Sequence, residues 1–153
     1  MGSMYAPRWV LEADISKFFD ELSHVWLLEN IPLPKPILKE LLRAGFIRGG
    51  SYEDTIKGTP QGGPISPTIA NMALNGLEAC LGSDFKLVRY ADDFVVIGKT
   101  KALLETEALA RIVSFLDPRG LRLNMDKTLI TCIEQGFDFL GFNFREYPVA
   151  RRA

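Results

Sequence analysis

Carboxylates are the first residues in this chain whose type and placement could do chemistry. Asp92 and Asp93 stand side by side in Val88-Arg-Tyr-Ala-Asp-Asp-Phe-Val-Val-Ile-Gly98, an otherwise apolar, β-prone run whose nearest cation is Arg89. Adjacent carboxylates repel, and neither gains by sitting against a hydrophobic core. A solvated turn is the plain alternative, because Asp is a favoured turn residue. Two-residue hairpin turns, however, favour Asn-Gly or Asp-Gly, and no glycine follows until Gly98. A third acid, Asp14, lies in the alternating run Trp9-Val-Leu-Glu-Ala-Asp-Ile15. If the hairpin pairs beside that strand, Asp14, Asp92 and Asp93 meet on one open face. Three carboxylates that close need cations, and oxygen-only ligation suits Mg2+, which keeps waters and adds substrate phosphates. Two such ions would clamp the attacking and leaving oxygens of a phosphoryl transfer.

Two further stretches have chemical potential. In Gly58-Thr-Pro-Gln-Gly-Gly-Pro64, Gln61 offers a donor and an acceptor, and the surrounding glycines let a ligand approach the backbone. The loop feeds a helix start at Ser66-Pro67, where amides and the helix dipole favour anions. No Gly-Lys-Ser/Thr follows, so this is not a Walker loop, and a purely structural turn is the alternative. Phe18-Phe19 follows the acidic strand. Paired aromatics there ordinarily belong to a core. Yet Phe19, five residues after Asp14, could close over a sugar and clash with a 2′-OH.

The elements that must position these groups follow from periodicity and punctuation. Residues 9–15 alternate, with Trp9, Leu11, Ala13 and Ile15 on one face and Glu12 and Asp14 on the other. Residues 22–29 and 36–44 read as helices separated by a proline cluster at 32–36. Gly49-Gly50-Ser51 reads as a turn and Tyr52–Lys57 as a short edge strand. From Ser66 a single helix is expected, with Ile69, Met72, Ala73, Gly76, Leu77 and Cys80 on its core face and Gly82-Ser83 closing it. Residues 85–90 and 94–98 predict a hairpin with Ala91-Asp92-Asp93 at its tip. A helix is expected over 101–116, facing inward through Leu104, Ala108, Ile112, Phe115 and Leu116, and stopped by Asp117-Pro118-Arg119-Gly120. Residues 121–124, 128–133 and 137–144 read as short strands. This order predicts an α+β fold with helices packed on one face of an antiparallel sheet.

Composition narrows the class. The 153 residues are 47% apolar and nearly neutral at net −1, enough for one domain with a real core. Bulk charge gives nucleic-acid binding no support, although acids gather over residues 12–21 and Arg151-Arg152 closes the chain. Cys80, Cys132 and the sole histidine, His24, make no metal-ligand or disulfide pattern, so a reducing, cytoplasmic setting is expected. No run approaches a membrane span or signal peptide. Residues 1–3 read as an expression remnant before a second Met, leaving 4–153 as a single domain.

Together these segments resemble the palm region of group II intron-encoded reverse transcriptases/maturases. The resemblance runs through Leu11-Glu-Ala-Asp-Ile-Ser-Lys-Phe-Phe-Asp20, Gly58-Thr-Pro-Gln-Gly-Gly-Pro-Ile-Ser-Pro-Thr-Ile-Ala-Asn71 and Arg89-Tyr-Ala-Asp-Asp-Phe-Val-Val96. It continues through Gly120-Leu-Arg-Leu-Asn124 with Lys127-Thr128, and Phe137-Asp-Phe-Leu-Gly-Phe142. All occur in the family's order and span nearly the whole chain. The resemblance implies an RRM-like (ferredoxin-like) polymerase palm. It also implies RNA-directed DNA polymerase activity: a primer 3′-OH attacks the α-phosphate of a dNTP opposite an RNA template. Asp14, Asp92 and Asp93 would be the catalytic and metal-binding acids, with Ile15 added to the metal set. Two Mg2+ ions would be the cofactor, with Mn2+ as a substitute. Phe19, Gln61, Gly62 and Lys127 would contact the nucleotide, and Phe139, Leu140 and Gly141 would support the primer end. Implied partners are RNA template, DNA primer, dNTP and intron RNA, with no membrane.

The chain also departs from the family. It begins at the first catalytic strand, without the basic fingers region, and ends without a thumb; the stretch from Glu78 to Arg89 is short. An isolated palm is therefore expected to polymerise little, because substrate positioning is lost, and to self-associate through surface that fingers and thumb would cover. The rival reading is a non-catalytic RRM-like RNA-binding or scaffold module, which would bind single strands through exposed aromatics such as those of residues 137–147.

Overall fold

The computed structural model describes residues 8–43, 46–48, 51–53, 57–59 and 65–147. Strand β1 (Trp9–Ala13) leads into two short helices, α1 (Phe18–Glu21) and α2 (His24–Asn30), then α3 (Lys35–Arg43). A small hairpin follows, β2 (Phe46–Arg48) and β3 (Ser51–Glu53). Next come α4 (Ser66–Leu74), α5 (Leu77–Leu81), β4 (Lys86–Tyr90) and β5 (Asp93–Gly98). The long helix after them is α6 (Lys101–Leu103), a π turn (Leu104–Ala108) and α7 (Leu109–Leu116). The chain returns through β6 (Leu129–Cys132) and a hairpin of β7 (Phe137–Phe139) and β8 (Phe142–Phe144).

The main sheet has the order β4-β5-β1-β6, every pair antiparallel. With helices between β1 and β4 and between β5 and β6, this is the βαββαβ arrangement of ferredoxin-like folds. Its alternation separates two faces. Leu11 pairs with Val96 and Ala13 with Phe94, and these four join Ile15, Leu27, Ile69, Ala73, Leu77, Ile112 and Leu116 in one helix-covered core. Glu12 pairs with Val95 on the opposite face. Val10 and Val95 are buried yet lie outside that core, because β7 packs across β1 and β5 on this second face.

Several elements differ from the periodicity reading. The helix expected onward from Ser66 breaks at Asn75 and Gly76: Asn75 is extended (ψ 134°) and Gly76 is left-handed (φ 94°). Gly76 therefore caps α5 rather than lining a helical stripe. Residues 121–124 form only a single bridge, Leu123 to Ile15. Residues 137–144 form two strands rather than one, because Leu140 (φ 53°) and Gly141 (φ 78°) both turn left-handed, the pattern of a type I′ turn. Helix α1 carried no periodic signal, since four residues are too few for one. Gly49, Gly50 and residues 54–56 lie outside the described residues; of the expected turn and edge strand, Ser51–Glu53 form β3 and Lys57 lies in a bend, not a strand.

One cation holds the helical layer together. The Arg119 guanidinium lies 3.5 Å from the Phe115 ring and 4.3 Å from that of Trp26. Its Nε donates to the Ala73 carbonyl at 2.6 Å and its Nη1 to the Phe115 carbonyl at 2.5 Å. Arg119 so ties α2, α4 and α7, and desolvation pulls its pKa down.

Candidate active site

Continuing the β1–β5 register past Ala13 and Phe94 sets Asp14 level with Asp93. The two line one cleft of about 270 Å³ together with Glu12, Lys127, Asp138, Phe139, Leu140 and Gly141. Local chemistry holds each in place. The Asp14 carbonyl accepts from the Asn124 amide at 2.7 Å, and its amide makes a long 3.5 Å contact to the Thr128 hydroxyl. Thr128 in turn donates to the Asn124 carbonyl at 2.8 Å, and the Lys127 amide donates to the same carbonyl at 3.1 Å. The turn that carries Lys127 is thus fastened to the residue whose carboxylate it faces.

Asp93 opens β5 directly after the two-residue tip Ala91-Asp92. Ala91 is left-handed at φ 55°, a conformation that costs a residue with a Cβ about 1 kcal/mol. Arg89 pairs with Phe94 and so lies on the helix side of the sheet, opposite Asp93. From there its Nη1 donates to the Ala91 carbonyl at 2.8 Å and to Asn71 Oδ1 of α4 at 3.0 Å. Arg89 therefore braces the tip and does not neutralise the acids. Asp92 is half-buried in the tip and is not among the residues lining the cleft.

The electrostatics are those of excess negative charge, four carboxylates with one lysine, Lys127. Partial desolvation, then the charges of Asp92 and Asp14, push the Asp93 pKa above its ordinary value. Desolvation also raises Glu12; the Asp138 amide hydrogen-bonds its carboxylate and opposes this, while the Asp138 charge adds to it. Among the described residues no three His, Cys, Asp or Glu side chains are grouped so as to hold one metal ion. The donors present are all oxygens, so a hard cation is the kind that fits. It would take one or two carboxylates here and complete its shell with waters and phosphate oxygens.

The remaining expected site residues divide. Lys127, Phe139, Leu140 and Gly141 reach the cleft with Asp14 and Asp93. Ile15 has its side chain in the core and its backbone bridged to Leu123, leaving only a carbonyl to offer. Phe19 is half-buried, edge-on to Phe18 at 5.1 Å, and does not line the cleft. Gln61 and Gly62 lie outside the described residues, but the ends of their loop are pinned. Gly58 N donates to Leu22 O at 2.8 Å and Thr59 N to Phe19 O at 2.6 Å, while His24 Nε2 donates to Gly58 O at 2.5 Å. The buried hydroxyls of Thr59 and Ser66 meet across the loop's base. Glu12 and Asp138 had no assigned role in the sequence reading. Glu12 is signalled by its two-residue spacing from Asp14 on an alternating strand, whereas Asp138 arrives only through the packing of β7.

The molecule is thus a ferredoxin-like sheet with carboxylates at a hairpin tip and at the end of one of its two central strands. Sequence comparison is more specific. The profile of the reverse transcriptase (RNA-dependent DNA polymerase) family matches residues 3–144, and the chain belongs to that family. Protein YkfC of Escherichia coli (strain K12) is 32% identical over 88% of this chain and 46% of its own length. The group II intron-encoded protein LtrA of Lactococcus lactis subsp. cremoris is 38% identical over 46% of this chain and 13% of its own. The chain thus spans less than half of either relative. In structure, apo telomerase from Candida tropicalis, truncated from its C-terminal domain, superposes with a TM-score of 0.67 over 92% of this chain and 34% of its own. At 16% identity this likeness bears on fold alone.

Proposed function

We propose that this chain is the catalytic palm of an RNA-directed DNA polymerase of the group II intron type. The observation that carries the reading is the convergence of Asp14, Asp93, Lys127 and the Phe139-Leu140-Gly141 turn on one cleft. Nucleotidyl transfer in this family is generally metal-dependent, and Mg2+ suits an oxygen-only, partly hydrated site. Bound there, divalent ions would supply charge stabilisation to the attacking and leaving oxygens. Asp14 and Asp93 would hold them, with Asp92 behind. Lys127 would meet phosphate charge, and the β7–β8 turn would support the primer end. Phe19 and Gln61 would meet the nucleotide's sugar and base. RNA template, DNA primer and dNTP are the proposed partners.

The RNA-binding scaffold alternative sits less well with the charge. Glu12, Asp14, Asp93 and Asp138 face the cleft, and without cations they repel the phosphates of a bound strand. Paramagnetic Mn2+ titration, followed by amide NMR, tests the proposal. Broadening should centre on residues 12–14, 93 and 138, compete with Mg2+, and disappear in Asp14→Asn and Asp93→Asn. Uniform or absent broadening in the wild-type chain would overturn it.

A further inference from the structure

One edge of the main sheet leaves backbone groups unpaired. Strand β4 ends the sheet and, among the described strands, is hydrogen-bonded to β5 alone. Across the two-residue tip Ala91-Asp92, Tyr90 and Asp93 form the closing hydrogen-bonded pair. Lys86, Val88 and Tyr90 therefore turn their N–H and C=O groups toward β5, and Leu87 and Arg89 turn theirs outward. Among the described residues the outward amides meet no other backbone acceptor. A bare edge of this kind is a template for a further strand, and no proline, bulge or central lysine blunts Lys86–Tyr90.

The side chains along this edge complement themselves about a two-fold axis. On the cleft side of the sheet Val88 is 41% exposed and Tyr90 68%, with Lys86 exposed beside them. On the helix side a cavity of about 250 Å³ opens along the strand, lined by Leu74, Asn75, Gly76, Glu78, Leu87 and Arg89. The Glu78 carboxylate makes no ion pair among the described residues. Outward groups must meet outward groups, which restricts symmetric antiparallel registers to those centred on Leu87, Val88 or Arg89. Centred on Arg89, the guanidinium meets its own copy. Centred on Leu87, Arg89 falls opposite Phe85, outside the strand. Centred on Val88, Leu87 of each chain faces Arg89 of the other, and each facing pair exchanges both backbone hydrogen bonds. Val88 then meets Val88, and Lys86 lies against the Tyr90 ring, a cation–π contact. Arg89 arrives beside Leu87 of the second copy, at the cavity that holds the unpaired Glu78.

We propose that β4 is an interface for a second copy of this chain, joined β4 to β4 about a two-fold axis at Val88. The four-stranded sheet of each copy becomes half of one continuous sheet, with both helical layers on the same side. The contact uses the same patch on both chains and closes on itself, so it makes a dimer and not a filament. No residue lining the acid cleft takes part. The pairing needs no metal, and its failure and that of the polymerase reading are separable.

The test is amide hydrogen exchange of the whole chain in chelator, measured across protein concentration. The Leu87 and Arg89 amides should exchange freely in dilute solution and slow as concentration rises, about tenfold once about nine chains in ten are paired. Val88→Lys sets like charges directly opposite and should abolish the slowing; a thermal melt shows whether this exposed substitution has left the fold intact. Phe142→Gln, on the β7–β8 hairpin, should leave the slowing in place. Covalent capture checks the register. With Cys80→Ser and Cys132→Ser as background, Val88→Cys should oxidise to a linked dimer, because facing Cα atoms about 4.5 Å apart lie within reach of a disulfide. Val113→Cys, 51% exposed on α7, should not link. Equal protection of Leu87 and Arg89 at every concentration would mean that the chain's own residues cover the edge, and would overturn the second copy. Free exchange at every concentration, or Val88→Cys linking no faster than Val113→Cys, would do the same.

Discussion

At the scale of single residues, the acid cleft stores charge repulsion that the fold tolerates. Asp93 has a folded-state pKa above the ordinary 3.8. Its contribution to stability is therefore whole below the unfolded value and is lost as pH rises through the folded one. In chelator, Asp93→Asn should then unfold at higher urea than wild type at pH 7, and the advantage should vanish below about pH 4. An equal gain at both pH values would mean that charge is not the cause. Arg89 is the counterpart: it restrains the tip without touching the carboxylates. Arg89→Met should cost about 1–2 kcal/mol for two lost hydrogen bonds, and should quicken amide exchange at Ala91–Asp93. Unchanged exchange there would remove its bracing role.

At the scale of elements, two turns carry the site. Gly58 sits at φ 74°, and a Cβ on it would stand 2.1 Å from the Phe19 carbonyl and 2.6 Å from that of Asp20. Gly58→Ala must push the loop off α1, with an expected loss above about 2 kcal/mol by equilibrium unfolding. The β7–β8 turn has the opposite character. Its Leu140-Gly141 pair uses left-handed backbone at both positions, where Asn-Gly is the favoured pair. Leu140→Asn should raise the melting temperature by relieving about 1 kcal/mol of strain, even as it removes an apolar wall from the cleft. That combination, stabler but altered in the cleft, would mark Leu140 as serving the cleft and not the fold.

At the scale of the whole molecule, the hairpin that walls the cleft and the chain just after it expose aromatic side chains. Phe142 is 70% exposed, Tyr147 72% and Phe144 45%. Exposed aromatics of this kind favour association. Sedimentation should report a mass that rises with concentration, and Phe142→Gln should lower it; a monomer at all concentrations would contradict this.

Motif and periodicity alone led to the palm family, the antiparallel sheet and the inward set of β1, and singled out Asp14, Asp92 and Asp93, of which the structure brings Asp14 and Asp93 into one cleft. These were legible because alternation is local: a strand's period of two separates Glu12 and Asp14 from Leu11 and Ala13 whatever lies around them. The break at Asn75-Gly76 was not legible, because it hangs on left-handed backbone that composition does not announce, and the hairpin at Phe139-Leu140-Gly141 was implied by the family resemblance and not by periodicity. Tertiary structure alone decided that β7 crosses β1 and β5, bringing Asp138 and Leu140 to the acids and burying Val10 and Val95. It also decided that Arg89 braces the tip from the far face, that Asp92 stands back from the cleft, and that the Ser16 amide meets the Arg122 carbonyl. Such pairings join residues far apart in the chain. Packing in three dimensions, not spacing along the chain, determines them.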